Sequence, residues 1–353
     1  MGDIDQILTP CPVIDLRQAE ANLQKASAYA RAHNLSLRPH IKTHKLPYFA
    51  KRQIELGAVG ITCQKIGEAE VMADHGLTDI LLPYNFIGRR NLKRLLALSR
   101  RAHISVTADS SEVIDGYADA FVDQGRPLEV LIECDTGGGR CGVQDARSAV
   151  ALARRIDRSA GLRFGGLMTY PPRHRTHDVN EWLMRAKQAI EVAGLPVLRI
   201  SNGGTPDFWR AHEVSAATEH RPGTYIYMDR MQTAFGAAEP DECAFTVLTT
   251  VVSRPVADRA VIDAGSKALT SDLCEAPGFG HIREYPDAVI TALSEEHGIV
   301  DLSKCAARPR VGERVSIVPN HVCPVSNLFD EIHLAEGVRI VQTLPIAARG
   351  KVY

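Results

Sequence analysis

The stretch "LSLRPHIKTHK" (residues 35–45) sets basic side chains on alternate positions, Arg38, His40, Lys42 and His44, with Leu35, Leu37 and Ile41 on positions between them. Side chains alternate along a strand, so this stretch read as a strand packs the three apolar residues on one face and turns His40 and Lys42 to the other. Seven further strand-like runs accompany it: "PVIDL", "VGITC", "DILLPY", "HISVTAD", "LEVLIECD", "LRFGGLMTY" and "PVLRISN". Between them lie "RQAEANLQKASAYARAH", "RRNLKRLLALSRRA" and "DARSAVALARRIDRSA", with apolar residues at helical spacing. Strands separated by helices imply a parallel sheet with right-handed crossovers. The total of eight matches a closed (β/α)8 TIM-type barrel, whose functional groups gather at the C-terminal ends of its strands. An open doubly wound sheet is the alternative; the strand count favours the barrel.

In that barrel His40 and Lys42 face the interior near its mouth. Desolvation disfavours the charged form of a lysine and makes it a nucleophilic amine, so Lys42 is the candidate nucleophile. A salt-bridged lysine at a strand end is the plainer alternative. Lys45 lies beyond the strand and is the weaker candidate.

After residue 240 the texture changes. "CAFTVLTTVVSR", "RAVIDAG", "AVITALSEEHGIV", "RVSIVPNHVC" and "IHLAEGVRIVQTLPI" are β-branched runs bounded by turns, with no evident helix between them. The expected division is a barrel over residues 14–240 and an antiparallel β domain over residues 241–353, joined by residues 1–13.

Composition narrows the functional classes. Lys plus Arg number 41 and Asp plus Glu 42, which leaves no electrostatic footprint for nucleic acid or an anionic membrane. No apolar run approaches the ~20 residues of a membrane helix. "MGDIDQILTP" does not have the basic-then-apolar pattern of an export signal, and the eight cysteines show no CxxC pair. The expectation is a cytoplasmic protein with reduced thiols.

Three short motifs can carry chemistry. "SNGGT" (201–205) ends an apolar strand in a glycine turn, which exposes backbone N–H groups able to hold a phosphate, though most such turns are only turns. "GGGRCGV" places Arg140 in a loop after "LEVLIECD", where it could meet a ligand or simply pair with an acid. "NHVC" puts His321 and Cys323 at i and i+2, on one face if the stretch is a strand. Imidazole with thiolate suits Zn²⁺, but a catalytic site normally has three protein ligands and only two are visible.

"RPHIKTHK", "TPCPVIDL", "GITCQKIGEAE", "GGGRCGV", "SNGGTP", "RPGTYIYMD", "VVSRPVADRAVIDAGSKAL" and "VPNHVCPVSNLFDE" together resemble the fold-type III pyridoxal-phosphate enzymes. Within these the chain is similar to the D-threonine aldolase and metal-dependent D-serine dehydratase group, relatives of alanine racemase, over nearly its whole length. The resemblance implies an alanine racemase-like barrel and a Schiff base on Lys42, the residue the strand-face argument also selects. It further implies Gly203, Gly204, Thr205 and Tyr225 at the phosphate and Arg140 at the cofactor's phenolic oxygen. Gln64 and Tyr170 are implied beside the cofactor, Tyr170 at the pyridine ring. His321 and Cys323 are implied to bind a divalent metal (Zn, Mn or Mg), and the enzyme to be a homodimer.

The implied reaction is lysis of a D-3-hydroxy-amino acid, with the metal on the 3-hydroxyl. Cys323 is shared with the dehydratases, whereas aldolases of the group carry Asp there and "YHG" where this chain has "TYPPRH". "VVSRPVADRAVIDAGSKAL" reads as the aldolase branch. Aldol cleavage is the expected main reaction and dehydration to a keto acid and ammonia the alternative. His40 and His44 are candidates to reach the hydroxyl, with His40 the catalytic expectation; His177 in "THDVNEW" reads as a solvated loop residue. A racemase would need a second acid/base across the ring and no metal. A non-catalytic pyridoxal-phosphate carrier would lack the C-terminal domain.

Overall fold

The computed structural model describes residues 2–353. Among these residues two sheets are present, one of eight strands and one of nine. In the first, the order is Ser36–Leu37, Glu219–His220, Ile200–Asn202, Leu162–Met168, Leu128–Glu133, His103–Ala108, Asp79–Leu82 and Ile61–Thr62, and every neighbouring pair is parallel. A parallel bridge between His40 and Thr62 joins the two ends of this order and closes the ring. The helices Pro47–Glu55, Ile66–Asp74, Arg89–Ser99, Ser111–Phe121, Ala146–Arg158 and Thr176–Val192 supply the crossovers. Ala146–Arg158 shows how sequence sets such an element. Asp145 caps it by accepting the Ser148 N–H at 2.7 Å, Arg155 and Arg158 sit in its last turn, and Ala149, Ala153 and Ile156 form its buried stripe.

The eight-stranded barrel is therefore present, but two of its strands are not as the sequence suggests. "PVIDL" is not a barrel strand: Cys11–Asp15 pairs antiparallel with Phe245–Val256 and parallel with Glu331–Glu336 in the other sheet. The eighth barrel strand is instead Glu219–His220, too short to leave a hydrophobic period in the sequence. "LSLRPHIK" is regular strand only over Ser36–Leu37, because Pro39 has no N–H to give the ladder. Its continuation still runs beside its neighbours. The N–H groups of Arg38, His40 and Ile41 donate to the carbonyls of His220, Pro222 and Thr62, each at 2.9 Å, before a turn over residues 41–44.

The barrel interior is partly ionic. Arg38 donates from Nε to Glu219 at 3.1 Å and from Nη1 to Asp79 at 2.5 Å, Ser201 donates to Glu219, and Arg221 donates to Ser201 at 2.6 Å. Burial alone would raise the Glu219 carboxyl; Arg38, then Arg199 and the Ser201 hydroxyl, hold it below the usual carboxylate range. Removing one member of such a buried network strands its partners' charges, at about 3–5 kcal/mol. Glu219→Ala should therefore lose that much stability in urea unfolding followed by circular dichroism, and an unchanged midpoint would show the network holds nothing together.

The second sheet runs Val289–Leu293, Gly298–Asp301, Arg259–Ile262, Phe245–Val256, Cys11–Asp15, Glu331–Glu336 and Arg339–Pro345, with Arg314–Pro319 also pairing Phe245–Val256 and Gly280–Ile282. It is antiparallel apart from the one parallel pair. Short helices the sequence does not announce interrupt it at Ser266–Leu269 and Val322–Ser326. The chain forms two compact units. One comprises Ala26–Lys42, Pro47–Gly223 and Lys351–Tyr353, and the other the chain up to Lys25 with Thr43–Leu46 and Thr224–Gly350. The change of texture near residue 240 thus falls shortly after the change of unit at Gly223. No helix of the described residues is long and apolar enough to cross a membrane.

Candidate active site

In a parallel barrel all C-terminal strand ends lie at one mouth. Lys42 follows Ser36–Leu37, Gln64 follows Ile61–Thr62, Arg140 follows Leu128–Glu133, Tyr170 follows Leu162–Met168, and Gly203, Gly204 and Thr205 follow Ile200–Asn202. The fold thus delivers these side chains to one rim, as it must if they serve one ligand.

Lys42 is half-buried and His40 is buried. His40 Nδ1 accepts the Lys42 backbone N–H at 3.3 Å, which leaves the ring proton on Nε2 to be donated to Gln64 Oε1 at 3.0 Å. Gln64 is fixed in turn, donating its amide to the Pro83 carbonyl at 3.2 Å and its backbone N–H to Glu68 at 2.8 Å. With both ring nitrogens engaged, His40 holds the backbone at Lys42 and has no lone pair directed at a substrate proton. His44 is fully buried and accepts the Leu46 N–H at 3.1 Å, a contact that shapes the turn. Lys45 is also buried, has φ +56°, and directs its ammonium toward the Ala348 carbonyl at 3.5 Å. His177 is exposed, in the first turn of Thr176–Val192 and not in a loop.

A second cluster contains the other barrel candidates. The Arg140 guanidinium lies 4.7 Å from the Tyr170 ring centroid and 3.7 Å from Glu133. Burial raises the Glu133 carboxyl, an effect that the Arg140 charge opposes. The glycines before Arg140 do not offer their N–H groups to a phosphate. Those of Gly137, Gly138 and Gly139 donate to Asp135 Oδ1 at 3.0, 2.8 and 3.1 Å, wrapping the loop so that Arg140 is presented. Tyr170 reaches the "SNGGT" turn as well: a Cβ on Gly204, whose φ is +144°, would stand 3.3 Å from its ring. A Cβ on Gly203 would meet Arg221 at 2.8 Å, so close approach requires that glycine, while the positive φ favours glycine at 204. Thr205 is buried and accepts the Gly223 N–H at 3.3 Å.

Two buried polar atoms beside this turn, Asn202 Oδ1 and His220 Nδ1, have no hydrogen-bond partner. Such atoms are costly unless a ligand or water meets them. Burial drives His220 down to about 4, so it is neutral near pH 7 and its ring donates to the Gly204 carbonyl at 2.8 Å. These features fit a bound phosphorylated pyridine: a glycine turn, an aromatic ring, a guanidinium and a lysine on one rim.

Tyr225, His321 and Cys323 belong to the other unit. Thr224–Ile226 forms a 3-10 turn, with Tyr225 buried. His321 and Cys323 do not share a strand face either. The strand ends at Pro319, His321 is the N-cap of Val322–Ser326, and Cys323 lies in its first turn, where Pro324 is tolerated because no N–H is needed. The two remain close, for Cys323 is the first of the neighbours that raise the His321 imidazole. His321 Nδ1 also contacts Asp272 at 2.8 Å, and Cys323 Sγ lies 3.2 Å from the Thr43 hydroxyl and 3.7 Å from that of Thr224. Burial would lower the His321 imidazole, but Cys323, then Asp272 and Asp229, raise it to about 9. That environment favours a cation. Among the described residues no group of three or more His, Cys, Asp or Glu side chains is arranged to hold a metal, so the protein's own donors remain a pair. An imidazole and a thiolate are a donor pair that suits a borderline-soft divalent ion.

The sequence does not reveal Asp272, Thr43 or Asp229 as neighbours of the His321–Cys323 pair. Asp272 lies 49 positions from His321, in a loop without periodicity.

Comparison with known proteins bears on the whole chain and its fold. Residues 14–231 match the family model "Alanine racemase, N-terminal domain", and residues 244–335 match "Putative serine dehydratase domain". The chain is 36% identical to D-threonine aldolase of an Arthrobacter species, over 99% of this chain and 95% of that protein. It is 32% identical to D-threo-3-hydroxyaspartate dehydratase of Delftia sp. strain HT23, over 95% and 96% of the two chains. The crystal structure of D-threonine aldolase from Filomicrobium marinum superposes with a TM-score of 0.92 at 32% identity, covering 99% of this chain and 98% of that one.

Proposed function

Because this chain belongs to the alanine racemase N-terminal domain family and carries the serine dehydratase-type domain behind it, we propose that it is a pyridoxal-phosphate-dependent lyase of D-3-hydroxy-amino acids, with aldol cleavage as its main reaction. The observation that carries this reading is the full-length likeness to a D-threonine aldolase.

Pyridoxal phosphate, when bound, supplies an electron sink for the pair released at Cα. Lys42 would tether it, and Gly203, Gly204, Thr205 and Tyr225 would hold its phosphate. Arg140 would meet its phenolic oxygen, with Gln64 and Tyr170 beside the ring. A divalent ion (zinc, manganese or magnesium) held by His321 and Cys323 supplies Lewis acidity toward the substrate's 3-hydroxyl. The chain's own part is largely positional. His40 and Gln64 fix the backbone from which Lys42 projects, and Arg140 packs on Tyr170, which rests against Gly204. In aldol cleavage a base, solvent water included, takes the 3-hydroxyl proton, the Cα–Cβ bond breaks with its electron pair left at Cα, an aldehyde departs and Cα takes a proton from solvent to give glycine. Dehydration is the second reading, favoured by Cys323; there Lys42 takes the Cα proton and hydroxide leaves Cβ. The free state of the eight cysteines supports a reducing cytoplasm, and the family likeness supports a homodimer.

With D-threonine, aldol cleavage yields glycine and acetaldehyde, whereas dehydration yields 2-oxobutanoate and ammonia. The expected result is the first pair in excess, and, with products assayed separately, glycine in excess over keto acid and ammonia also from D-serine (with formaldehyde) and from 3-hydroxy-D-aspartate (with glyoxylate). A tenfold preference is only about 1.4 kcal/mol of barrier, so small shifts in base position decide it. Keto acid and ammonia in excess across these substrates would overturn the aldolase assignment.

A further inference from the structure

The His321–Cys323 pair has its own supporting shell. Asp272 is on the Nδ1 side of His321 at 2.8 Å, so it is not a third ligand beside Nε2. When its carboxylate accepts the Nδ1 proton, Nε2 is left as the lone-pair nitrogen, and that is the atom able to bind an ion. Asp272 is itself about half exposed, with 46% of its side chain accessible, so as an ion pair it contributes little stability. Yet its backbone is pinned. Asn320, the residue before His321, donates its side-chain amide to the Asp272 carbonyl at 3.0 Å and to the Gly278 carbonyl at 2.9 Å. Arg230 donates to Asn320 at 3.1 Å.

From beneath, the fully buried Asp229 accepts the Val322 N–H at 3.0 Å and the Gln232 N–H at 2.9 Å, fixing the residue between the two ligands. The Cys323 sulfur faces the Thr43 hydroxyl at 3.2 Å. A hydroxyl donating to a thiolate withdraws charge from it and directs its remaining lone pairs.

We propose that Asp272 and Thr43 are positioning residues of the ion site: Asp272 fixes the tautomer and ring orientation of His321, and Thr43 donates a hydrogen bond to the Cys323 thiolate. This rests on the reading of His321 and Cys323 as ion ligands.

The test uses the full-length protein with its pyridoxal phosphate, stripped of metal by a chelator and reloaded with Co²⁺. Affinity is read by competition with a coloured chelator, and thiolate ligation by the sulfur-to-cobalt charge-transfer band. Asp272→Ala should weaken Co²⁺ binding about 10–100-fold, the usual effect of losing such a partner. Asp272→Asn should recover most of that loss, because its amide oxygen can still accept from Nδ1. Thr43→Val should move the charge-transfer band to lower energy, since the sulfur loses its donor. His321→Ala is the reference that separates the two levels of argument. If it binds Co²⁺ as tightly as the wild type, the ion-site reading falls and this inference with it. If it loses the ion while Asp272→Ala and Thr43→Val match the wild type in affinity and spectrum, this inference alone is overturned. Equal losses in Asp272→Ala and Asp272→Asn would overturn the orientation role.

Discussion

Lys42→Ala should be colourless in the visible range and lose at least about 10²–10⁴-fold of its activity, the scale of removing a positioned proton-transfer group. The physical case begins with place. Lys42 follows the barrel strand Ser36–Leu37 at the rim where Gln64, Arg140, Tyr170 and Gly203 to Thr205 also project. Its own N–H is held by His40, whose ring is locked by Gln64. A covalent tether needs such fixed departure from the backbone, because misplacement by about 1 Å costs on the order of a hundredfold. Lys45→Ala is the control. Lys45 is turned to the Ala348 carbonyl from a left-handed backbone position, a structural contact, and its loss should leave the yellow absorbance of the cofactor–lysine linkage intact. An absorption spectrum and borohydride trapping followed by peptide mass analysis decide between them. A labelled Lys45 peptide, or a yellow Lys42→Ala protein, would sink the assignment.

How much of this was legible in the residues follows from the range of each interaction. Side-chain alternation within "LSLRPHIK" selects Lys42 although the stretch is regular strand over only Ser36–Leu37, because the extended path continues past Pro39 with Arg38, His40 and Ile41 still bonded to its neighbours. Helical spacing locates Ala146–Arg158 for the same reason: the signal lies within one element. The errors concern partnership. "PVIDL" has the texture of a buried parallel strand, and one of its two partners is indeed parallel, but both lie in the C-terminal sheet. Glu219–His220 carries a polar pair into the barrel because Arg38 and Ser201 satisfy Glu219, a compensation invisible to any local pattern. His-x-Cys spacing suggests a strand face, yet the pair meets at a helix start, since an N-cap and the first turn also bring i and i+2 together. Asp272 and Thr43 reach that pair only through tertiary structure.

Removing the divalent ion should abolish lysis while leaving the pyridoxal chromophore in place. On the proposed reading the two groups would do different work: one would disperse charge developing at Cα, the other would activate the 3-hydroxyl, and only the second would depend on His321 and Cys323. Lewis-acid stabilisation of several kcal/mol corresponds, at about 1.4 kcal/mol per factor of ten, to a fall of at least about a hundredfold. Zn²⁺, Mn²⁺ and Mg²⁺ should then restore activity unequally, because a thiolate prefers the softer zinc and is a poor partner for magnesium. His321→Ala and Cys323→Ala should behave as the chelated enzyme does and resist rescue by added ion. Cys323→Asp should shift the preference from zinc toward manganese, since carboxylate oxygen replaces sulfur at the same backbone position in the first turn after His321. The measurement is activity against added ion after chelation, with metal content by elemental analysis and the visible spectrum recorded on each sample. Full activity in protein shown to be free of metal would remove the ion from the mechanism. The hydroxyl proton would then have to leave to a side chain, and His40, with both ring nitrogens already engaged, is poorly placed to take it.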